Sequence, residues 1–145
     1  MSTKKIILSI IGLAVLSAVV IGLFMWYQPH REVKSKPGIP VTAVALYNAF
    51  ITDSSQAGKL YINNIVTVSG QVKLISFNQQ QQQVVLLRTA SGDGSVNCTL
   101  EEKNVSLKPG DSITLKGICS GYNGDADMGV AGDVILVRCY ISNNN

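Results

Sequence analysis

Histidine is almost absent from this chain of 145 residues: the only one, His30, lies just beyond an apolar N-terminal segment. Catalytic triads and dyads that rely on an imidazole base are therefore excluded from the rest of the chain. The chain has three cysteines and none of them forms a C-x-x-C pair, so a four-ligand Cys/His zinc site lacks its ligands. We therefore predict no enzyme, no metal site and no cofactor.

An excess of positive charge is also missing outside the N-terminal region. The formal net charge is +3, but residues 38–145 contain seven basic and eight acidic side chains. Aromatic residues make up only 6% of the chain. A protein that binds single-stranded nucleic acid needs a basic groove and aromatic rings on which bases stack. The composition therefore disfavours this function.

The clearest feature that the sequence does contain is a long apolar run. From Ile6 to Tyr27, 22 consecutive positions carry no charged residue. As an α-helix this run would be about 33 Å long, enough to cross a hydrocarbon core of about 30 Å. Trp26 and Tyr27 end it, and aromatic rings favour the membrane interface. We predict a short head over residues 1–5 and a transmembrane helix over residues 6–27.

A cleaved signal peptide is the alternative interpretation of this N-terminus. Signal peptides have an apolar core of about 7–15 residues and a small-residue cleavage site. Here the core is longer and ends in bulky residues, which favours an uncleaved anchor. Basic residues flank both ends of the run, so the positive-inside rule does not decide its orientation. The short head and long trailing domain favour a signal anchor with an exported C-terminal domain.

A linker and a helix follow the apolar run. Residues 28–40 are predicted to be a linker because prolines and a glycine interrupt regular structure there. Thr42 is a typical N-cap, and apolar side chains recur after it at steps of three and four residues. This pattern predicts one amphipathic helix over residues 42–61. Its apolar positions are Ala43, Leu46, Tyr47, Phe50, Ala57, Leu60 and Tyr61.

The apolar period then changes to two, which is typical of half-buried strands. A glycine at position 70 suits a bent barrel strand. Five short strands predict an all-β fold, a small five-stranded OB-type barrel over residues 41–145. A two-sheet sandwich is the alternative, although five strands make a thin one. The strands are expected at about residues 65–75, 83–88, 95–100, 112–119 and 133–140.

Two motifs in this region are specific enough to indicate a family. They are Gly117-Ile118-Cys119-Ser120-Gly121-Tyr122 and Asp133-Val134-Ile135-Leu136-Val137-Arg138-Cys139. Together with the apolar anchor and the predicted helix, they resemble the tRNA_anti-like group of bacterial OB-fold proteins over about Thr42 to Cys139. The resemblance implies an OB barrel and specifies no ligand. With the anchor, it implies a single-pass protein of the bacterial inner membrane whose soluble domain is periplasmic.

The three cysteines allow three disulfide pairings, and an exported domain permits oxidation. Cys119 ends the fourth predicted strand and Cys139 ends the fifth, and these strands are neighbours in an OB barrel. We expect a Cys119–Cys139 disulfide, provided that the Cα atoms lie within about 7 Å. An antiparallel hairpin sets the end of one strand opposite the start of the other, so this pairing needs a shifted register. Three reduced, buried cysteines are the alternative.

OB barrels bind ligands on the face of their second and third strands and on adjoining loops. We expect a membrane-tethered binding or scaffolding module of the cell envelope, whose partner is an envelope protein or an oligosaccharide. Single-stranded nucleic acid is the alternative ligand, because Lys73 and Lys116 are expected to point outward from neighbouring strands. The candidate ligand-binding residues are Lys73, Arg88, Lys116, Tyr122 and Arg138.

The loop before the last predicted strand is rich in oxygen ligands. Asn123, Asp125 and Asp127 are spaced like the first ligands of an EF-hand. The pattern fails because Met128 stands where the loop needs glycine and no glutamate follows. A solvated turn is the ordinary interpretation, and weak calcium binding together with Asp133 is the alternative.

Overall fold

The computed structural model describes residues 2–26, 33–125 and 127–142. The chain divides into two compact units, Met1–Glu32 and Val33–Asn145. In the first unit, helix α1 (Thr3–Trp26) has 24 residues, and none of its side chains is buried. Its length and composition meet the requirements of a membrane span and also those of a signal sequence. Tyr27, His30 and the rest of residues 27–32 lie outside the described part of the chain.

The second unit is a closed barrel of five strands with one extra strand. Three segments precede the barrel: β1 (Ile39–Thr42), α2 (Ala43–Thr52) and α3 (Ser54–Tyr61). The barrel strands are β2 (Ile65–Phe77), β3 (Gln83–Arg88), β4 (Ser95–Leu100), β5 (Ser112–Tyr122) and β6 (Asp133–Ile141).

The strand order around the barrel is β2–β3–β4–β6–β5, and β5 pairs again with β2 to close it. Within the barrel, β4 and β6 are parallel and the other pairs are antiparallel. The predicted all-β OB-type barrel is thus confirmed. The strand bounds differ from the expected ones by at most three residues.

Strand β1 lies where the sequence pattern predicts the end of a linker. It pairs in parallel with β2, with Ile39 opposite Val66 and Thr42 opposite Ser69. Pro40 fits because β1 is at the edge of the sheet, where one missing backbone donor is tolerated. The linker interpretation is therefore wrong for residues 39 and 40.

The single helix predicted over residues 42–61 is instead two helices. Thr42 caps α2 as predicted, its hydroxyl accepting a hydrogen bond from the backbone N–H of Ala45 at 3.1 Å. At Asp53 the backbone is extended, and its N–H donates to the Ala49 carbonyl at 3.1 Å. The Asp53 carboxylate accepts from the N–H of Gln56 at 3.1 Å and so begins α3. Capping by this aspartate competes with a continuous helix.

The helix α2 closes one end of the barrel with Leu46, Tyr47 and Phe50, all of which are buried. A Cβ atom on Gly70 would lie 2.9 Å from the Cβ of Ala43, so glycine permits this close approach. Alternate strand residues fill the interior below the helix. They are Val66, Val68, Val72, Val85, Leu87, Val96, Cys98, Leu100, Leu115, Cys119, Val134, Leu136 and Cys139.

The connection between β4 and β5 covers the other end of the barrel. Val105 and Leu107 pack against the core from this segment, which contains no helix. The buried amide of Gln83 donates to the Val105 carbonyl at 3.0 Å. The connection ends in a turn in which the Asp111 N–H donates to the Lys108 carbonyl at 3.1 Å and Gly110 has a φ of +97°, as a type II turn requires.

Candidate functional site

The four basic candidates lie in two separate places. Lys73 and Arg88 are on β2 and β3 near the β3–β4 turn, where Lys73 Nζ donates to the Gly92 carbonyl at 3.0 Å. Lys116 lies opposite Thr67 of β2. That position is six residues along β2 from Lys73, a separation of about 20 Å at the rise of a β-strand. The structure therefore does not bring Lys73 and Lys116 into one patch.

Arg138 lies near Lys116, at an irregularity in the β5–β6 pairing. Lys116 is opposite Tyr140, whereas Ile118 is opposite Val137, so β6 has one extra residue between these pairs. Arg138 is exposed and has a φ of +52°, a conformation that is uncommon for residues other than glycine. Lys116 and Arg138 thus form a second basic pair, on strands β5 and β6.

Tyr122, the aromatic candidate, is half-buried at the end of β5. Its ring centroid lies 6.1 Å from that of Tyr47 in an edge-on arrangement and 6.1 Å from that of Phe50 in a stacked one. Burial, followed by the hydrogen bond with Tyr47, raises the pKa of the Tyr122 hydroxyl. Much of this ring is therefore engaged in packing at the end of the barrel that α2 closes.

A cleft of about 420 Å³ borders Tyr122. Several side-chain oxygens of the loop that follows Tyr122 accept hydrogen bonds from the protein. Asp125 Oδ1 accepts hydrogen bonds from the N–H groups of Asp127 and Met128 at 3.1 Å. Asp133 Oδ1 accepts from the N–H and hydroxyl of Ser95 at 2.9 and 2.6 Å. Within the described residues, no group of three or more His, Cys, Asp or Glu side chains could hold a metal ion. The hydrogen bonds of Asp125 are those of a structured turn, and the bonds between Ser95 and Asp133 join β4 to β6.

The three cysteines are all buried and free. The expected Cys119–Cys139 disulfide is not formed, because Cys119 lies opposite Leu136 in the β5–β6 register. The Cys98 thiol donates a hydrogen bond to the Val96 carbonyl at 3.9 Å. The side chain of Cys139, followed by burial, raises the pKa of the Cys98 thiol well above its ordinary value. Burial raises the pKa of the Cys119 thiol to about 11.

A further surface, which the sequence analysis did not select, lies on the outside of β3, β4 and β6. In β3, Val85 and Leu87 are buried, whereas Val84 and Leu86 are half-exposed on the outside of the barrel. In strand β6, Val134 and Leu136 are likewise buried, whereas Ile135 and Val137 are half-exposed on the outside. Strands that are apolar on both sides usually have both sides covered. The runs of four apolar residues in β3 and β6 were the sequence signal for this surface.

Strand register joins these outward positions into one surface. Leu74 of β2 lies opposite Leu86, Leu86 lies opposite Asn97, and Asn97 lies beside Ile135. A second row contains Val84 opposite Thr99. None of these side chains is charged. We call this surface the apolar face; it comprises Leu74, Val84, Leu86, Asn97, Thr99, Ile135 and Val137.

The outside of β1, β2 and β5 has the opposite character. One row runs from Thr42 through Ser69 to Thr114, and a second places Gln71 opposite Ser112. A groove of about 550 Å³ crosses these strands, with Arg88 on its rim. We call this surface the polar face; it comprises Thr42, Thr67, Ser69, Gln71, Ser112, Thr114 and Lys116.

Comparisons with known proteins agree with the motifs in the sequence. A protein-family model described as tRNA_anti-like matches residues 1–141. No curated protein matches the chain. Because the family model covers nearly the whole sequence, the match includes the apolar N-terminal helix as well as the barrel.

Among solved structures, the chain is similar to two OBody proteins. OBody AM3L09 bound to hen egg-white lysozyme is 16% identical over 66% of this chain and 93% of its own, with a TM-score of 0.39. OBody AM1L10 bound to hen egg-white lysozyme is 18% identical over 65% of this chain and 91% of its own, with a TM-score of 0.36. The family model shows that this chain belongs to the tRNA_anti-like family.

Proposed function

We propose that this chain is a membrane-tethered binding module that docks a partner protein on its apolar face. The observation that carries this proposal is the position of the face. Strands β3 and β4 are the second and third strands of the barrel, the region that OB barrels use for binding. Half-exposed Val84, Leu86 and Ile135 make this region contiguous and apolar, which is typical of interaction surfaces.

The chemistry of the apolar face favours a protein partner over nucleic acid. The face has no cation to pair with phosphate and no aromatic ring to stack on a base. Charge depletion is typical of the centre of a protein–protein interface. Asn97 and Thr99 lie in the middle of the face and offer hydrogen-bonding groups to a partner's backbone. We infer that the two basic pairs lie too far apart to form a nucleic-acid groove.

In this proposal, α1 is an uncleaved anchor in the bacterial inner membrane and the barrel is in the periplasm. Its 24 residues correspond to a helix of about 36 Å, somewhat longer than a hydrocarbon core of about 30 Å. The family match supports the proposal because it begins at residue 1 and so includes this helix. The partner is accordingly a protein of the cell envelope.

Site-specific photo-cross-linking of the full chain in its native membrane tests the binding surface. A photoreactive amino acid is placed at Leu86 or Val137 on the apolar face, and at Thr67 or Thr114 on the polar face as the matched control. We expect a discrete protein adduct from the first two positions and none from the control positions. Equal adducts from both faces, or no protein adduct from the apolar face, would overturn the proposal; the second result would leave an oligosaccharide as the partner class.

The anchor is tested separately by alkaline extraction of membranes. We expect the full chain, with its N-terminus intact, to remain in the membrane pellet, and a variant lacking residues 3–26 to be released. A soluble mature chain that begins beyond Tyr27 would show that the apolar helix is a signal peptide. Protease added outside spheroplasts should digest the domain; protection of the domain would contradict the periplasmic placement.

A further inference from the structure

The basic residues of the barrel domain are concentrated on one surface. Residues 33–145 carry nine basic and eight acidic side chains. Five of the basic residues lie together where the chain enters the barrel, and the acidic residues of the same region are Glu101 and Glu102. The rest of the domain therefore has four basic and six acidic side chains, and its net charge is negative. We call this region the basic surface; it comprises Lys34, Lys36, Lys103, Lys116 and Arg138.

Lys34 connects the segment before β1 with the outside of β6. Its Nζ lies 3.7 Å from Glu102 Oε1 and 5.8 Å from the centroid of the Tyr140 ring. Lys103 follows Glu102 directly, in the connection between β4 and β5. Tyr140 is in turn opposite Lys116 of β5. These contacts therefore bring Lys34, Lys103 and Lys116 to one region of the surface.

Gly38 fixes the path of the same segment across β2. A Cβ atom on Gly38 would lie 2.9 Å from the backbone nitrogen of Thr67, and Thr67 is opposite Lys116. Glycine permits this close approach because it has no side chain. Val33 is only 1% exposed, so the segment is packed at its other end as well. The exposed Lys36 lies between these two packed positions and is therefore near Lys116.

Arg138 is exposed because of the irregularity in β6. In a regular strand, the residue after outward Val137 would point into the barrel. Here Cys139 is the buried residue and Tyr140 is again half-exposed, so the extra residue leaves Arg138 on the outside. The irregularity thus adds a cation to the basic surface, two residues from Tyr140.

We propose that the basic surface binds the head groups of anionic lipids and so determines which side of the domain faces the membrane. Residues 33–38 are the described residues that follow α1 most closely in the chain. With α1 as the anchor proposed above, the basic surface is covalently the part of the domain nearest to the membrane. Basic clusters next to a membrane span attract anionic lipid, and each Lys or Arg near the surface strengthens binding about fivefold. The inference rests on the anchor and not on the side of the membrane.

The composition of the basic surface favours a bilayer over a nucleic acid. Three separate segments contribute to it: the segment before β1, the β4–β5 connection, and the pair of strands β5 and β6. Lipid head groups require only positive charge, whereas single-stranded nucleic acid also requires open aromatic rings on which bases stack. The ring of Tyr140 lies beneath Lys34. The surface therefore offers charge without an open stacking platform.

Lysine acylation of the full chain in vesicles tests this inference without any substitution. The chain is reconstituted in phosphatidylcholine alone or in a mixture with phosphatidylglycerol and treated with an uncharged, membrane-impermeant acylating reagent. Peptide mass spectrometry then gives the rate at each lysine. We expect the anionic lipid to slow acylation of Lys34, Lys36 and Lys103 by about fivefold or more, and to leave Lys73 and Lys108 unchanged. At about 1 M salt the Debye length is about 3 Å, so the slowed rates should recover.

Two double variants provide a matched comparison. K116Q/R138Q removes two charges from the basic surface, and K73Q/R88Q removes the same residue types elsewhere on the barrel. We expect the first variant to reduce the protection of the remaining lysines to less than about twofold, and the second to retain it in full. Equal loss of protection in both variants would overturn the inference. Equal wild-type rates in the two lipid mixtures, or equal protection of Lys73 and Lys108, would overturn it even if a variant fails to fold.

Two further arms separate this inference from its alternatives. Protection of the same lysines by a single-stranded oligonucleotide, and not by anionic lipid, would identify nucleic acid as the ligand instead. Flotation of the vesicles tests the anchor, and we expect the full chain to float with both lipid mixtures. If it floats with both and the lysine rates are equal, the anchor stands and the basic surface does not bind lipid. If it floats only with phosphatidylglycerol and the lysines are protected, the surface binds lipid and the anchor is wrong.

Discussion

The apolar face and the polar face are two surfaces of one barrel that share a single interior. In β2, buried Val66 and Val68 alternate with the outward Thr67 and Ser69 of the polar face. In β3, buried residues alternate with outward Val84 and its neighbours, so the strand is apolar on both sides. The interior requires apolar side chains on every strand, but it places no requirement on the outside. The interior therefore does not account for the contrast between the two faces.

Two neighbouring leucines in β3 compare the interior with the apolar face, and their substitution has the largest expected effect on the free energy of unfolding. Leu87 is fully buried, whereas Leu86 is half-exposed. We expect L87A to lower the free energy of unfolding by about 3 kcal/mol, because it leaves a cavity in the core. L86A should cost less than about 1 kcal/mol. Urea unfolding of the full chain in micelles measures both; equal losses would show that the apolar face is covered within the chain itself.

A matched pair of charge insertions compares the two faces directly. L86D places a carboxylate on the apolar face, and T114D places the same group on the polar face. We expect L86D to reduce recovery of the cross-linked partner at least tenfold, about 1.4 kcal/mol, because a desolvated charge opposes binding. T114D should leave recovery unchanged, and both variants should keep the wild-type circular dichroism spectrum. A partner lost equally with both variants would remove the distinction between the faces.

The last comparison concerns the interior that both faces share, and its effect is confined to alkaline pH. The pKa of the Cys119 thiol rises from an ordinary value of about 9 to about 11 in the folded domain. The unfolded chain therefore loses this proton first, and the stability contributed below pH 9 declines as the pH rises from about 9 to 11. C119A should show a shallower decline over this range. Unfolding free energies measured from pH 7 to 11 make the comparison, and identical slopes would contradict the raised pKa.

The local elements of this chain were predictable because their causes are local. A charge-free run predicted the apolar helix, and alternation predicted each barrel strand to within a few residues. Thr42 was predictable as an N-cap because its side chain bonds within its own turn. The break at Asp53 was missed, although aspartate is also a capping residue, because the apolar spacing on its two sides fits one continuous helix.

The candidate site was much less predictable, since it depends on contacts between strands. Outward basic residues were identified from alternation, but alternation contains no information on register. The pairing of Thr67 with Lys116 separates this lysine from Lys73. The apolar face was missed because the apolar run in β3 predicts a strand but does not show which strands lie beside its outward side chains.

The sequence by itself determined which segments are helices and strands and which side chains point inward, because a period of 2 or 3.6 residues is a property of each segment alone. Only the tertiary structure decided which strands are neighbours and which of their residues lie opposite one another. The neighbourhood of β3, β4 and β6 and the register of these strands align Leu86, Asn97 and Ile135. Barrel closure imposes these alignments, because every strand must satisfy its hydrogen bonds on both sides while all five fill one interior.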